Sequence, residues 1–320
     1  PTFYFLRAMQ ICKILLMAAV FSLLPIFARA AEQAEPKAAI VAGHVEAGEK
    51  EGIPLHPVDV FHIGEFPITN SMIATWIVAL GIIIFAQVAT RNIQPVPSGA
   101  QNFWEWMVEG LYNLLDGIVG RELVRKTFWF FATIFILILF SNWFGLIPGV
   151  GTIGWGHAGP EGFHVDEPWL RGVNADLNMT FAMSMIFFAC WIVWAFQTNG
   201  LGGFLFHIFG AKGETKGALK ALMVVIFILA GVLEVVSILF RPVSLSFRLF
   251  GNVYAGESML EAMSKVLPGW LGSIIVPIPF YFMELLVGLA QALVFMLLTA
   301  VFTLLICQHD PSHDKQEHHH

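Results

Sequence analysis

The sequence predicts an all-α polytopic membrane protein with about five transmembrane helices and one interfacial amphipathic helix, the last two spans being long tilted helices that form a hairpin. The composition and two patterns lead there. Hydrophobic residues make up 57% of the chain and charged residues 12%, with a mean hydropathy of +0.72, whereas soluble domains carry roughly a quarter charged residues. The apolar residues are gathered into long runs, each sufficient to cross about 30 Å of hydrocarbon as a helix. Between those runs lysine and arginine gather in particular connections, which orients the runs.

Taken in order, Arg7 and Lys13 flank a short apolar run ending in Ala28-Arg29-Ala30. A charged region, an apolar region and an A-x-A site make residues 1–30 an expected signal peptide. Residues 31–68 are acidic, polar and Pro/Gly-containing, and are expected to be loosely ordered on the non-cytoplasmic side. His44, His56 and His62 are too scattered there for a metal site. Residues 69–307 form the expected membrane domain and 308–320 a cytoplasmic tail. The first span covers 69–90 and ends at Arg91. Residues 101–120 then set Trp104, Met107, Val108, Leu111, Leu115 and Ile118 at helical spacing opposite Asn102, Glu105, Glu109, Asn113 and Asp116, the pattern of a helix lying in the interface. Two further spans, 127–147 and 177–196, are separated by a Gly-rich acidic loop whose sole Lys or Arg is Arg171. Arg91, Arg121, Arg125 and Lys126 precede the second span, and Lys212, Lys216 and Lys220 follow the third, so both connections belong in the cytoplasm.

From 218 to 267 there is no turn signal except Arg241-Pro242, enough chain for about 75 Å of helix. Either two spans turn sharply at that dipeptide, or one helix lies steeply tilted. Pro268-Gly269 breaks the run, and 272–307 is a second overlong apolar segment. Five spans put the C-terminus in the cytoplasm and six put it outside. Lys315 is the tail's one Lys or Arg and sits among Asp310, Asp314 and Glu317, so charge decides little, and the hairpin geometry favours five.

Polar residues inside these apolar segments carry the functional signal, because each ionisable side chain there costs a few kcal/mol on insertion scales. Glu234, Ser237, Arg241, Ser244, Arg248 and Asn252 are three or four apart and form one stripe on a continuous helix. A stripe satisfied by hydrogen bonds against another helix is the plainer explanation, but two arginines without an obvious local carboxylate partner are poor structural glue. Ion handling is therefore expected. On the last helix Glu284, Gly288 and Gln291 share a face. A turn centred near Pro268-Gly269 brings Arg248 level with Gln291 and Glu257 level with Glu284. Two close carboxylates in low dielectric do not both ionise easily, so such a pair can accept and release protons. Arg248 stays charged and has no proton to give, which suits an electrostatic divider. Arg241 is expected to be a secondary charge toward the cytoplasmic side. The three cysteines, Cys12, Cys190 and Cys307, have no metal-ligand spacing and read as packing residues. The net charge of −6 without a basic patch argues against a nucleic-acid partner.

The run Arg241-Pro-Val-Ser-Leu-Ser-Phe-Arg248-Leu-Phe-Gly-Asn252-Val-Tyr-Ala-Gly-Glu257 resembles the signature of the subunit a family of F-type ATP synthases. The resemblance extends from the first span to Cys307. It includes Asn142 with Leu146-Ile147-Pro148, the stretch from Ala175 to Thr180 containing Asp176, and the stretch from Gln291 to Met296. It implies a stator subunit of the bacterial inner membrane, set beside a rotating c-ring and peripheral-stalk b subunits, with two offset half-channels and five spans. By the same resemblance Arg248 matches the family's essential arginine, and Asn252, Glu257 and Gln291 match polar residues at the channel and ring interface. Glu234 and Ser237 match the cytoplasmic half-channel, and Asn142 and Asp176 the outer side. Glu284 stands where some members have histidine, which bears on the pH range of proton entry. No cofactor is expected. The chain has no Gly-x-x-x-x-Gly-Lys-Ser/Thr loop, so neither nucleotide binding nor ATP chemistry is expected of it. Two rival classes are a stand-alone ion-coupled transporter, for which inverted repeats would be the sign and none is visible, and a non-transporting membrane scaffold.

Overall fold

The computed structural model of the chain describes residues 58–63, 66–151, 153–159, 162–209, 218–266 and 274–307. The expected signal peptide, the Pro268-Gly269 turn, the tail and most of the acidic segment lie outside the described residues.

The chain enters through a hairpin of β1 (Asp59–Ile63) and β2 (Phe66–Thr69), paired antiparallel. This corrects the expectation of a loosely ordered segment reaching residue 68. The polarity of the whole segment masked a short run with Val60, Phe61, Ile63, Phe66 and Ile68, residue types that favour strands. Helix α1 (Asn70–Ala89) follows directly, its first turn capped by Thr69, whose Oγ1 accepts from the Met72 N–H at 3.4 Å. A second hairpin, β3 (Gly154–Gly159) with β4 (Gly162–Pro168), lies in the acidic loop. Asn70 Nδ2 donates to the Pro168 carbonyl at 3.0 Å and ties the start of α1 to that hairpin.

Helix α2 (Gly99–Val119) is the amphipathic element, and it buries Gln101, Trp104, Met107, Leu111, Leu115 and Val119. That face packs on α1 and on α3 (Arg121–Gly145), so its inner stripe belongs to the protein core. Val108 is half-buried and Ile118 exposed, which rotates the inward face slightly from the expected one. Trp106 and Phe103 are exposed on the opposite side. Gly120, at φ 82°, makes the turn from α2 to α3, a backbone region that glycine enters without steric cost.

α3 supplies the centre of the bundle, with Phe128, Phe130, Phe131 and Ile138 fully buried. A 3-10 turn (Val173–Ala175) leads into α4 (Leu177–Phe209), whose backbone breaks at Gly200 (φ 67°, ψ 172°), leaving 177–200 as the membrane-crossing part. Helix α5 (Ala218–Ser264) runs unbroken for 47 residues with Pro242 inside it. At 1.5 Å per residue it is about 70 Å long, more than twice the hydrocarbon thickness, so it crosses obliquely as a single span. That removes the alternative of two spans turning at Arg241-Pro242. Proline removes one backbone hydrogen bond, and the helix continues on both sides. Helix α6 (Ile278–Cys307) completes five helices, among the described residues, that are long and apolar enough to cross a membrane.

Contacts between helix ends fix the relative directions. Asn142 Nδ2 and Trp143 Nε1, at the end of α3, donate to the Gly288 and Leu285 carbonyls near the start of α6, at 3.0 and 3.2 Å. Asn199 Nδ2, late in α4, donates to the Ile306 carbonyl at the end of α6 at 2.6 Å. The start of α5 meets Phe209 of α4 at Gly231, and its far end meets Glu284 of α6 at Gly256. Helices α5 and α6 are therefore antiparallel, and Cys307 finishes at the same end of the bundle as the end of α4. α5 packs mainly on α4 and α6 mainly on α3. One side of α5 is left open, with Leu229, Leu233, Phe240 and Phe247 exposed.

Candidate ion-translocation site

The polar residues separate into three groups along α5. At its far end the connection Arg171-Gly172-Val173-Asn174-Ala175-Asp176 threads beneath the end of α3 and is buried throughout. Asn174 Nδ2 donates to Asn142 Oδ1 at 2.7 Å, and Asn142 passes its own N–H to the Gly288 carbonyl. Asp176, 2% exposed, caps α4 by accepting from the Asn178 N–H at 2.9 Å and accepts from Ser71 Oγ of α1 at 2.5 Å. It is thus a tie between three elements as well as a buried carboxylate.

Two glycines admit the glutamates to this cluster. Glu257 Oε1 lies against Gly172, in space that a β-carbon would occupy, and within 3.5 Å of the β-carbon position at Gly145. The Glu284 carboxylate lies over Gly256 in the same way. Glu284 is 8% exposed, and it is close enough to Glu257 for the two charges to act on each other. The structure therefore brings Glu257, Glu284, Asp176 and Asn142 to one end of the bundle, the first two as adjacent carboxylates.

At the opposite end Glu234 and Ser237 are exposed on the open side of α5. Arg241, expected as a secondary charge, is enclosed and paired. Its Nη2 pairs with Glu234 Oε1 at 3.0 Å, seven residues back along the helix. Its guanidinium stacks 4.6 Å from the Phe302 ring centroid and 5.4 Å from that of Trp191, binding α5 to α6 and α4. The premise that neither arginine had a local carboxylate partner fails for Arg241, because spacing by seven brings two long side chains together across two turns.

Arg248 lies between these groups. It is exposed on the open side of α5, beside Phe247, and makes no hydrogen bond or ion pair with any described residue. The opposite side of the same turn is pinned: Ser246 is buried and shares a 3.0 Å hydrogen bond with Thr180 of α4. Asn252 and Gln291 are half-buried, and Arg248 shares no hydrogen bond with Gln291.

Comparison with known proteins gives the family. The family model described as ATP synthase A chain matches residues 72–303, which include Asn142, Asp176, Glu234, Arg241, Arg248, Glu257 and Glu284. The chain belongs to that family. The ATP synthase subunit a of Gloeobacter violaceus is 34% identical over 233 residues, covering 73% of this chain and 81% of that protein. That of Moorella thermoacetica is 29% identical over 248 residues, covering 78% and 95%. A relative from Propionigenium modestum named as sodium ion specific is 30% identical over 242 residues, covering 74% and 73%. As a member of the ATP synthase A chain family, the protein is a multi-pass membrane component of an ATP synthase.

Sequence reasoning missed Arg171, Ser71, Asn174 and the paired glycines. Ser71, Asn174 and Gly172 stand at a helix start or in a connection, where no helical period marks them, and Gly256 is not one of the polar residues from which the stripe was read. Arg171 did have one, as the single Lys or Arg of its loop five residues before Asp176, but it registered there only as a charge to be counted.

Proposed function

We propose that the chain is the proton-carrying stator subunit of an F-type ATP synthase, forming two half-channels against a rotating c-ring and coupling proton flow to rotation. The observation that carries this reading is Arg248: an exposed guanidinium on an apolar helix side, unpaired among the described residues, with an acidic group toward either end of the same helix. Glu234 lies about 21 Å before it and Glu257 about 14 Å after it at 1.5 Å per residue.

Protons enter from outside past Asp176 and Asn142 to the Glu257/Glu284 pair and pass to a carboxylate of the ring. The neutral ring site then turns through lipid, where an unpaired charge is strongly penalised. It reaches the Glu234 and Ser237 side after nearly a full turn and releases its proton to the cytoplasm. Arg248 favours the ionised carboxylate arriving beside it and blocks direct passage between the half-channels, with Asn252 and Gln291 supplying polar contacts at the ring interface. A potential of 100 mV contributes about 2.3 kcal/mol per charge, so several protons must pass to drive ATP formation, which takes place on other subunits. The open apolar side of α5 suits the ring, and the peripheral-stalk b subunits hold the stator. Residues 1–30 are removed as a signal peptide, 31–68 lie in the periplasm, and 308–320 face the cytoplasm.

Arg248→Ala tests the reading: proton-driven ATP synthesis in reconstituted vesicles should be abolished while the complex still assembles. Normal synthesis by that variant would overturn it.

A further inference from the structure

Arg171 has a position that its place in a loop would not foretell. It is 3% exposed, and all three guanidinium nitrogens are buried without a hydrogen-bond partner among the described residues. A guanidinium is always charged and carries five donors, so burying it without a partner is unfavourable unless it serves another charge. The carboxylate packed against its chain neighbour is that of Glu257. The chain geometry holds the two together: Gly172, the very next residue, has no side chain, and Glu257 Oε1 occupies the space that a β-carbon would take.

The groups around Glu257 can be named element by element. From α6 comes Glu284, an acid. From α3 comes the backbone of Gly145, which is uncharged. From the connection comes Arg171, the cation. Asp176, further along that connection, is held on Ser71 and on the first turn of α4. Glu257 is therefore set between the like charge of Glu284 and the opposite charge of Arg171, on opposing elements, while Glu261, one turn along α5, is paired with Lys265.

We propose that Arg171 is a positioning residue of the outer proton path, a fixed counter-charge that holds Glu257 in place and sets the pH range over which it releases protons toward the ring. It needs no direct ion pair for this, since charges interact over several ångströms when water is largely excluded. The cation offsets Glu284, so Glu257 can give up its proton with an acidic neighbour beside it. Without Arg171 the two carboxylates compete unopposed and Glu257 retains its proton to higher pH. The acidic limb of the conduction profile then moves upward. The inference rests on the reading that Glu257 carries protons.

The test uses the whole complex in vesicles, measuring proton-driven ATP synthesis against outer pH at constant driving force. Arg171→Gln should move the acidic limb to higher pH by about one unit, Arg171→Lys should restore it, and Glu257→Gln should flatten it. An Arg171→Gln profile that coincides with that of the unmodified complex overturns the inference. Should Arg171→Gln fail to assemble, the double substitution R171Q/E257Q decides, because it removes both charges together: recovered assembly supports the pairing and continued absence overturns it. Arg248→Ala is measured alongside. Normal synthesis there defeats the underlying proton-path reading, whereas loss there with an unmoved Arg171→Gln limb defeats only the role of Arg171.

Discussion

Gly256→Ala isolates the contact between α5 and α6 at the carboxylate pair. A β-carbon at this position meets the Glu284 carboxylate well inside van der Waals distance, whereas 3.4–4 Å is ordinary contact. The carboxylate must therefore retreat by on the order of 1 Å, and because it is the end of a flexible side chain it can do so by leaving its rotamer, at about 1 kcal/mol. Overpacking of this kind costs at most about 3 kcal/mol, so the complex should assemble. Function should suffer far more, since proton transfer needs heavy atoms within about 3 Å and a 1 Å misplacement costs about a hundredfold. Proton-driven ATP synthesis in vesicles, normalised to assembled complex, should fall between about tenfold and a hundredfold. Adding Glu284→Asp, one methylene shorter, should recover part of the loss. Gly110→Ala is the control, as nothing lies within 4 Å of its β-carbon and alanine is the better helix former by about 1 kcal/mol. Synthesis by Gly256→Ala within twofold of the unmodified complex, or a loss no greater than the loss of assembled protein, would refute the placement of Glu284.

Three further outcomes follow from the same geometry. Arg241→Met keeps bulk between Trp191 and Phe302 but loses the ring stacking and the Glu234 pair, and should lower the thermal midpoint of the solubilised complex through a loss of about 2 kcal/mol; an unchanged midpoint would mean the stacking contributes nothing. Asn142→Ala breaks the buried links to Asn174 and Gly288 and should cost about 2–3 kcal/mol, seen as reduced assembled complex or a lower midpoint. Glu284→His makes the pair one charge less negative in each protonation state, so Glu257 ionises more readily and the acidic limb of proton conduction should move to lower pH, with its maximum little changed. A limb that stays in place would count against the pairing of Glu257 with Glu284.

Much of the architecture was legible in the sequence because a membrane solvent leaves few choices. Apolar runs of this length must cross as helices to satisfy their backbones, and lysines and arginines between them orient the crossings. Glu234, Ser237, Ser244 and Arg248 could be put on one side of α5 because helical periodicity is a local property of the chain. The tertiary structure decided what periodicity cannot reach. Whether α5 was one helix or two depended on packing that carries it through Pro242, and the β1/β2 hairpin was concealed by the acidic composition around it. The same limit governed the two arginines, which sit on one stripe with similar chemistry. Arg241 is enclosed by rings from α4 and α6 and paired with Glu234, while Arg248 is left open and unpaired, and only the neighbouring helices make that difference. Arg171 and Glu257 are separated by most of α4 and α5 in the chain. Glu257 reaches the residue next to Arg171 because Gly172 has no side chain, as Glu284 reaches α5 over Gly256, and absent atoms leave no pattern in a sequence until the fold brings another residue into the space.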